Sequence, residues 1–307
     1  MPAFIDPAAL MRIKNLEMRA KVVVEGFFSG LHRSPFHGFS VEFSEYRPYT
    51  TGDDPRYLDW KLYARSDRCY IKRFEDETNL RCYLVVDRSR SMGYGSQGYT
   101  KSDYAATLAA TLAYFLTRQR DSVGMLTFDE QVVELIGARY RPGQFHRLLT
   151  ALERPPAGNA TNLAAPLERI AQRVQKRGVI IFVSDLLAPL DLLEANLGYL
   201  RTRGHEVIVF RILDPAEIDF SFDRPAMFRD IESGRELYVD PEAARRQYLE
   251  KFGVHQHAIE TICANLGIDF HQLTTDRALE FTLFDYLHAR QRRGRHVMRS
   301  GSLGRTV

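Results

Sequence analysis

Cysteine is scarce. Cys69, Cys82 and Cys263 are the only three in the chain, too far apart to chelate as a short pair and too few for a bridged scaffold, so zinc ribbons and disulfide-stapled domains are excluded and a reducing compartment fits. Long apolar runs are missing too. Val179 to Val183 is typical in stopping after five residues, whereas a bilayer-spanning helix needs about 20. The first thirty residues place charges in every apolar stretch, so no signal-peptide core is legible. A soluble, cytoplasmic protein with no membrane span is expected. Nor is there an excess of either charge: 42 Lys and Arg stand against 39 Asp and Glu, too even a balance to indicate nucleic acid.

The common catalytic signatures are absent as well. No phosphate-cradling G-x-x-x-x-G-K-[ST] occurs, and Ser184 lies in no G-x-S-x-G elbow. His255 and His257 are two apart on an expected helix and face different ways, and His32, His37 and His271 add no i, i+4 ligand pair. The chain is expected not to be an enzyme.

What is present is the composition of a folded protein, 45% hydrophobic and 26% charged over 307 residues, enough for one large or two modest domains. Residues 1–80 read as a β-rich module: helical spacing over 7–28, alternation at Phe39, Val41 and Phe43, a second extended run from Cys69 to Phe74, and a short helix opened by Asp54 and Pro55. Residues 81–292 alternate strand and helix. The strands Arg81 to Asp87, Val123 to Phe128, Val179 to Val183 and Glu206 to Ile212 are continuous apolar runs, which predicts an α/β fold with a doubly wound, mostly parallel sheet covered on both faces. Near 214–240 a hairpin is inserted, MFRDI and RELYV around Glu232, Ser233 and Gly234, and Arg-rich residues 293–307 read as a flexible basic tail.

Chemistry concentrates in VVDRSRSMGYG, where Asp87, Ser89 and Ser91 form D-x-S-x-S directly after a strand. In an open parallel sheet ligands sit just beyond the carboxyl ends of the strands. Two other expected loops add oxygen, Thr161 in GNATNL and Asp185 in IIFVSDLL. Hydroxyls and carboxylates of this kind suit a small hard divalent ion, which takes six oxygens and keeps several waters. Each residue alone also reads as a helix cap or a loop hydroxyl.

The combination resembles the von Willebrand factor A fold and its metal-ion-dependent adhesion site. That resemblance implies Mg²⁺ (or Mn²⁺) at Asp87, Ser89, Ser91, Thr161 and Asp185, with the hydroxyls as direct ligands and a coordination position open to a partner's carboxylate. Arg88 and Arg90 are then expected to point outward, toward an acidic protein ligand.

A second resemblance covers nearly the whole chain. TTGDDPRYLDWKLYARSD, YIKRFEDE, LDPAEIDFSF and the ESG hairpin are similar to the bacterial domain-of-unknown-function family numbered fifty-eight, in its short cytoplasmic form. Many relatives are encoded beside an AAA+ ATPase of MoxR type, which the resemblance suggests as partner. In GDDPRYLDW, Gly52, Asp54 and Trp60 read as turn, cap and anchor, while Asp53 and Arg56, with Arg65 five residues beyond the segment, read either as internal ion pairs or as a partner-contact surface. The leading expectation is a noncatalytic metal-dependent protein-binding module. The alternatives are a metal-assisted hydrolase using Asp87 and Asp185, and a structural module with a vestigial site.

Overall fold

A computed structural model describes residues 4–31, 45–48, 70–73, 80–129, 131–154, 174, 177–222, 224–229 and 234–287. Thr161, Asp53, Arg56, Arg65, Trp60 and the tail expected at 293–307 lie outside the described residues.

Six strands form the central sheet: β3 (Arg81–Asp87), β4 (Ser122–Phe128), β5 (Val132–Arg139), β6 (Val179–Ser184), β7 (Glu206–Leu213) and β10 (Asp269–Thr274), in the order β10-β7-β6-β3-β4-β5. Every neighbouring pair is parallel except β4 and β5, so the sheet is mixed and mostly parallel. The antiparallel edge follows from a short link. Only three residues separate Phe128 from Val132, enough for a reversal but far too few for a crossover. Gly124 is required where β4 meets β5, since a Cβ there would stand 2.6 Å from the Ala138 nitrogen and 2.7 Å from the Ile136 oxygen, at a shift in register.

The central strands are apolar on both faces because both faces are covered. One face buries Cys82, Leu84, Val86, Ile181, Val183, Ile208 and Phe210. Against it lie α3 (Lys101–Arg118), α4 (Gln144–Glu153), a helix over residues 279–287, and α2 (Leu16–Leu31), which is preceded by the short α1 (Pro7–Met11). The other face buries Val85, Leu126, Phe182, Val207 and Val209 under α5 (Leu190–Thr202) and α7 (Pro241–Asn265). Helix α3 is the central support. Thr100 and Asp103 form a reciprocal capping box at its start, and Ala105, Ala109, Ala110 and Ala113 let it lie close to the strands.

The helical spacing read over 7–28 is divided between α1 and α2, with a break at 12–15. Ala20, Val23, Val24 and Phe27 are buried in the same core as α3, and Arg19 donates to Thr107 Oγ1 at 2.9 Å. The N-terminal helices thus build the same core as the strands beyond residue 80. The remaining strands form two small antiparallel sheets: β1 (Glu45–Pro48) with β2 (Tyr70–Arg73), and β8 (Ala226–Arg229) with β9 (Glu236–Val239), the latter at the hairpin read from the sequence. A short helix α6 (Pro215–Asp219) leads from β7 toward this hairpin, and Phe220 beyond it stacks on Phe228 at 6.1 Å between ring centres. No helix among the described residues is long and apolar enough to cross a membrane.

Candidate functional site at the carboxyl ends of β3 and β6

The chain leaves β3 toward β4 on one side and later returns to place β6 on the other. The seam between β3 and β6 is therefore the switch point of the sheet, where oppositely directed connections leave an opening for a ligand. Asp87 ends β3 and Ser184 ends β6, with Asp185 next in the chain. Three of these side chains, Asp87, Ser184 and Asp185, are wholly buried.

Asp87 is held from two sides. Its Oδ1 accepts the Ser89 N–H at 2.9 Å, and its Oδ2 accepts the Ser184 hydroxyl at 2.5 Å. Burial, reinforced by the negative charge of Asp185, pushes the Asp87 carboxyl up to about 7, although the Ser184 and Ser89 hydrogen bonds oppose the shift. Ser89 Oγ lies 3.0 Å from Ser91 Oγ. Ser89 is buried and Ser91 half-buried, in the turn that opens the 3-10 segment Arg90–Gly93. The structure thus brings Asp87, Ser89, Ser91 and Asp185 to one strand-end site.

The Asp185 loop is strained and braced. Leu186, fully buried, adopts φ 57, a left-handed conformation costly for a branched side chain. Its N–H donates to Ser184 Oγ at 3.0 Å, and the Leu187 N–H donates to Asp185 Oδ1 at 3.2 Å. From β7, Arg211 donates through Nε to the Asp185 carbonyl at 3.0 Å, with its buried guanidinium 5.4 Å from the Phe252 ring centre.

Sequence reasoning missed Lys101. This first residue of α3 is fully buried and donates to Asp185 Oδ2 at 2.9 Å and to Glu217 Oε1 at 2.7 Å. Burial pulls the ammonium's pKa down, but Asp185 and Glu217 together outweigh it and leave it above the ordinary lysine value. Glu217 and Asp214 were missed as well. Asp214 caps α6, accepts the Ser96 hydroxyl at 2.5 Å and the Ser96 N–H at 2.8 Å, and so ties the loop after β3 to the end of β7. For Asp214 and Glu217 the signal was there, since D-P-A-E spells a capping box; for Lys101 the only hint was a lysine in a helix's first turn, opposed to the macrodipole.

Arg88 corrects the expectation that both loop arginines face a partner. It is 8% exposed, and its Nη2 donates to the Arg154 carbonyl just beyond α4. Burial lowers its pKa, with Asp103 and Asp87 acting the other way. The turn after β3 sends the side chain back under the fold, because the Arg88 N–H still pairs with the Phe128 carbonyl as strand backbone does. Arg90 is exposed.

Among the described residues no group of three His, Cys, Asp or Glu side chains is placed to hold a metal, so a cation here would depend on hydroxyls. The serine pair suits that task. Ligands at about 2.1 Å in an octahedron stand about 3.0 Å apart along an edge, and the Ser89 and Ser91 hydroxyls, hydrogen-bonded to each other at 3.0 Å, stand at a compatible separation. Asp87 accepts hydrogen bonds from the Ser89 N–H and the Ser184 hydroxyl, with the Ser89 side chain a further partner, out of the roughly four lone-pair sites of a carboxylate. The donors Asp87, Ser89 and Ser91 therefore fit a small hard ion, while Asp185 already holds an ammonium.

Among curated proteins the chain is similar to the uncharacterized protein Rv1480 of Mycobacterium tuberculosis, 26% identical over 292 residues, which span 94% of this chain and 91% of that one. Among solved structures it is similar to the conserved hypothetical protein BatB from Bacteroides thetaiotaomicron, at 13% identity and a TM-score of 0.44 over 69% of this chain and 99% of that one. It is also similar to the SpRpn10 VWA domain, at 12% identity and a TM-score of 0.39 over 66% and 93%. A family model described as "Protein of unknown function DUF58" matches residues 45–258, and the chain belongs to that family.

Proposed function

We propose that this protein is a noncatalytic protein-binding module of the von Willebrand factor A type. Asp87, Ser89 and Ser91, with Asp185 and Thr161, hold Mg²⁺ or Mn²⁺ and offer an open coordination position to a carboxylate of an acidic protein. The supporting observation is the meeting of the D-x-S-x-S loop with the end of β6 at the switch point, where the hydrogen-bonded serine hydroxyls stand 3.0 Å apart beside Asp87. The ion would supply Lewis-acid attraction for an anionic oxygen. The chain's own part is to orient the hydroxyls through the Asp87 to Ser89 turn and to present exposed Arg90 beside them. A MoxR-type AAA+ ATPase is the proposed partner, for which the module acts as adaptor in assembling or remodelling a protein complex.

A second reading has its own observation. Because Lys101 already neutralises Asp185, the site can also serve as a metal-independent structural tie between α3, β6 and α6. Capture of a purified MoxR-type ATPase on the immobilised full chain separates the two. The adaptor reading expects capture in Mg²⁺ that chelator reverses and Ser89→Ala abolishes. Equal capture in chelator, or none in either buffer, would overturn it.

A further inference from the structure

Lys101 has no place in a divalent-ion site made of oxygen ligands, yet it is fully buried beside it. Its side chain has no solvent exposure. A buried ammonium is tolerated only when carboxylates surround it, and at the start of α3 it also faces the positive end of the helix dipole. Two carboxylates hold it. Asp185 Oδ2, at 2.9 Å, belongs to the proposed ligand set, and Glu217 Oε1, at 2.7 Å, does not. Glu217 is fixed independently of the lysine, because its other oxygen accepts the Asp214 N–H at 2.9 Å in the capping box of α6. Asp214 is in turn held by Ser96 and Thr275. The ammonium therefore bridges one carboxylate that a divalent ion would claim and one that is locked elsewhere.

A fixed positive charge so close to a divalent ion repels it strongly in a buried setting. From this geometry we infer that Lys101 is the resident cation of the site: its ammonium and a divalent ion compete for Asp185, and Glu217 keeps the ammonium when a divalent ion takes Asp185. The inference rests on the divalent-ion reading above and adds its regulation. With the lysine in place, the carboxylate is neutralised without metal, so affinity for the bare ion is low. A partner's carboxylate supplies the missing negative charge, and ion and partner each strengthen the other's binding by the same factor, as linkage requires.

The test is Mn²⁺ titration of the full chain by calorimetry, with the Mn²⁺-induced rise in Tm as a second readout. Lys101→Met should bind Mn²⁺ about tenfold or more tighter than the wild type and gain more in Tm. Glu217→Gln should weaken binding in the wild type, by leaving the ammonium only Asp185, and should have a smaller effect in the Lys101→Met background. Should Lys101→Met fail to fold without metal, the sign of the Glu217→Gln effect and the recovery of folded Lys101→Met in Mn²⁺ still decide. Unchanged or weaker Mn²⁺ binding by Lys101→Met, beside a wild type that does bind, overturns the competition alone and leaves a lysine that merely positions Asp185. Equal Glu217→Gln effects in both backgrounds overturn it too. No binding by either the wild type or Lys101→Met removes the ion site itself, and the competition with it.

Discussion

The Ser184 hydroxyl donates to Asp87 Oδ2 at 2.5 Å across the seam between β6 and β3, and Ser184 Oγ itself accepts the Leu186 N–H at 3.0 Å. One hydroxyl thus joins two strand ends and holds the left-handed residue that sets the Asp185 loop. Both groups it serves are buried. Ser184→Ala should therefore cost about 1 to 3 kcal/mol, read from urea unfolding midpoints. A loss under about 0.5 kcal/mol, the ordinary range of a surface substitution, would show that neither bond matters.

The Asp87 carboxyl predicts a pH dependence in metal-free buffer. Its pKa is about 7 in the fold and about 3.9 in the unfolded chain, so the folded state binds the proton more tightly. The stability that protonated Asp87 contributes is fully present below about pH 4 and is lost as pH rises through about 7. Asp87→Asn should flatten that portion. Relative to the wild type, its urea midpoint in chelator should be higher at pH 8 than at pH 5; a difference of the opposite sign would contradict the assigned direction.

The two loop arginines should separate cleanly. Arg88 is buried against the Arg154 carbonyl and Arg90 is exposed. Arg88→Ala is expected to destabilise by about 1 to 3 kcal/mol through the lost charged hydrogen bond, whereas Arg90→Glu should leave the unfolding midpoint within about 0.5 kcal/mol. On the proposed function Arg90→Glu also slows association with an acidic partner. Unfolding curves and association rates at two salt concentrations measure both, and a stable Arg88→Ala protein would refute its inward role.

Much of this was legible in the sequence because continuous apolar strands and strand-end polar groups are local signals. β3, β6 and β7 read directly as buried parallel strands, and Asp87 and Asp185 each end an apolar run. Lys101 was not legible in the same way. Its partners are 84 and 116 residues distant, and a lysine among Thr100, Ser102 and Asp103 looks like a solvated first turn until tertiary contacts enclose it. Arg88 misled for a related reason. Alternation with Ser89 and Arg90 suggested a common outward face, but the chain is still paired with β4 at Arg88 and turns only afterwards.

The central claim is a divalent ion held by the hydroxyls of the loop after β3. Mn²⁺ binding to the full chain, followed by electron paramagnetic resonance of the free ion, tests it most directly when the wild type is compared with the Ser89→Ala/Ser91→Ala double variant. The proposed site predicts saturable uptake of one Mn²⁺ per chain that is displaced by Mg²⁺ and lost in the double variant. No Mn²⁺ uptake by either the wild type or Lys101→Met, or a double variant that takes up as much as the wild type, would contradict it.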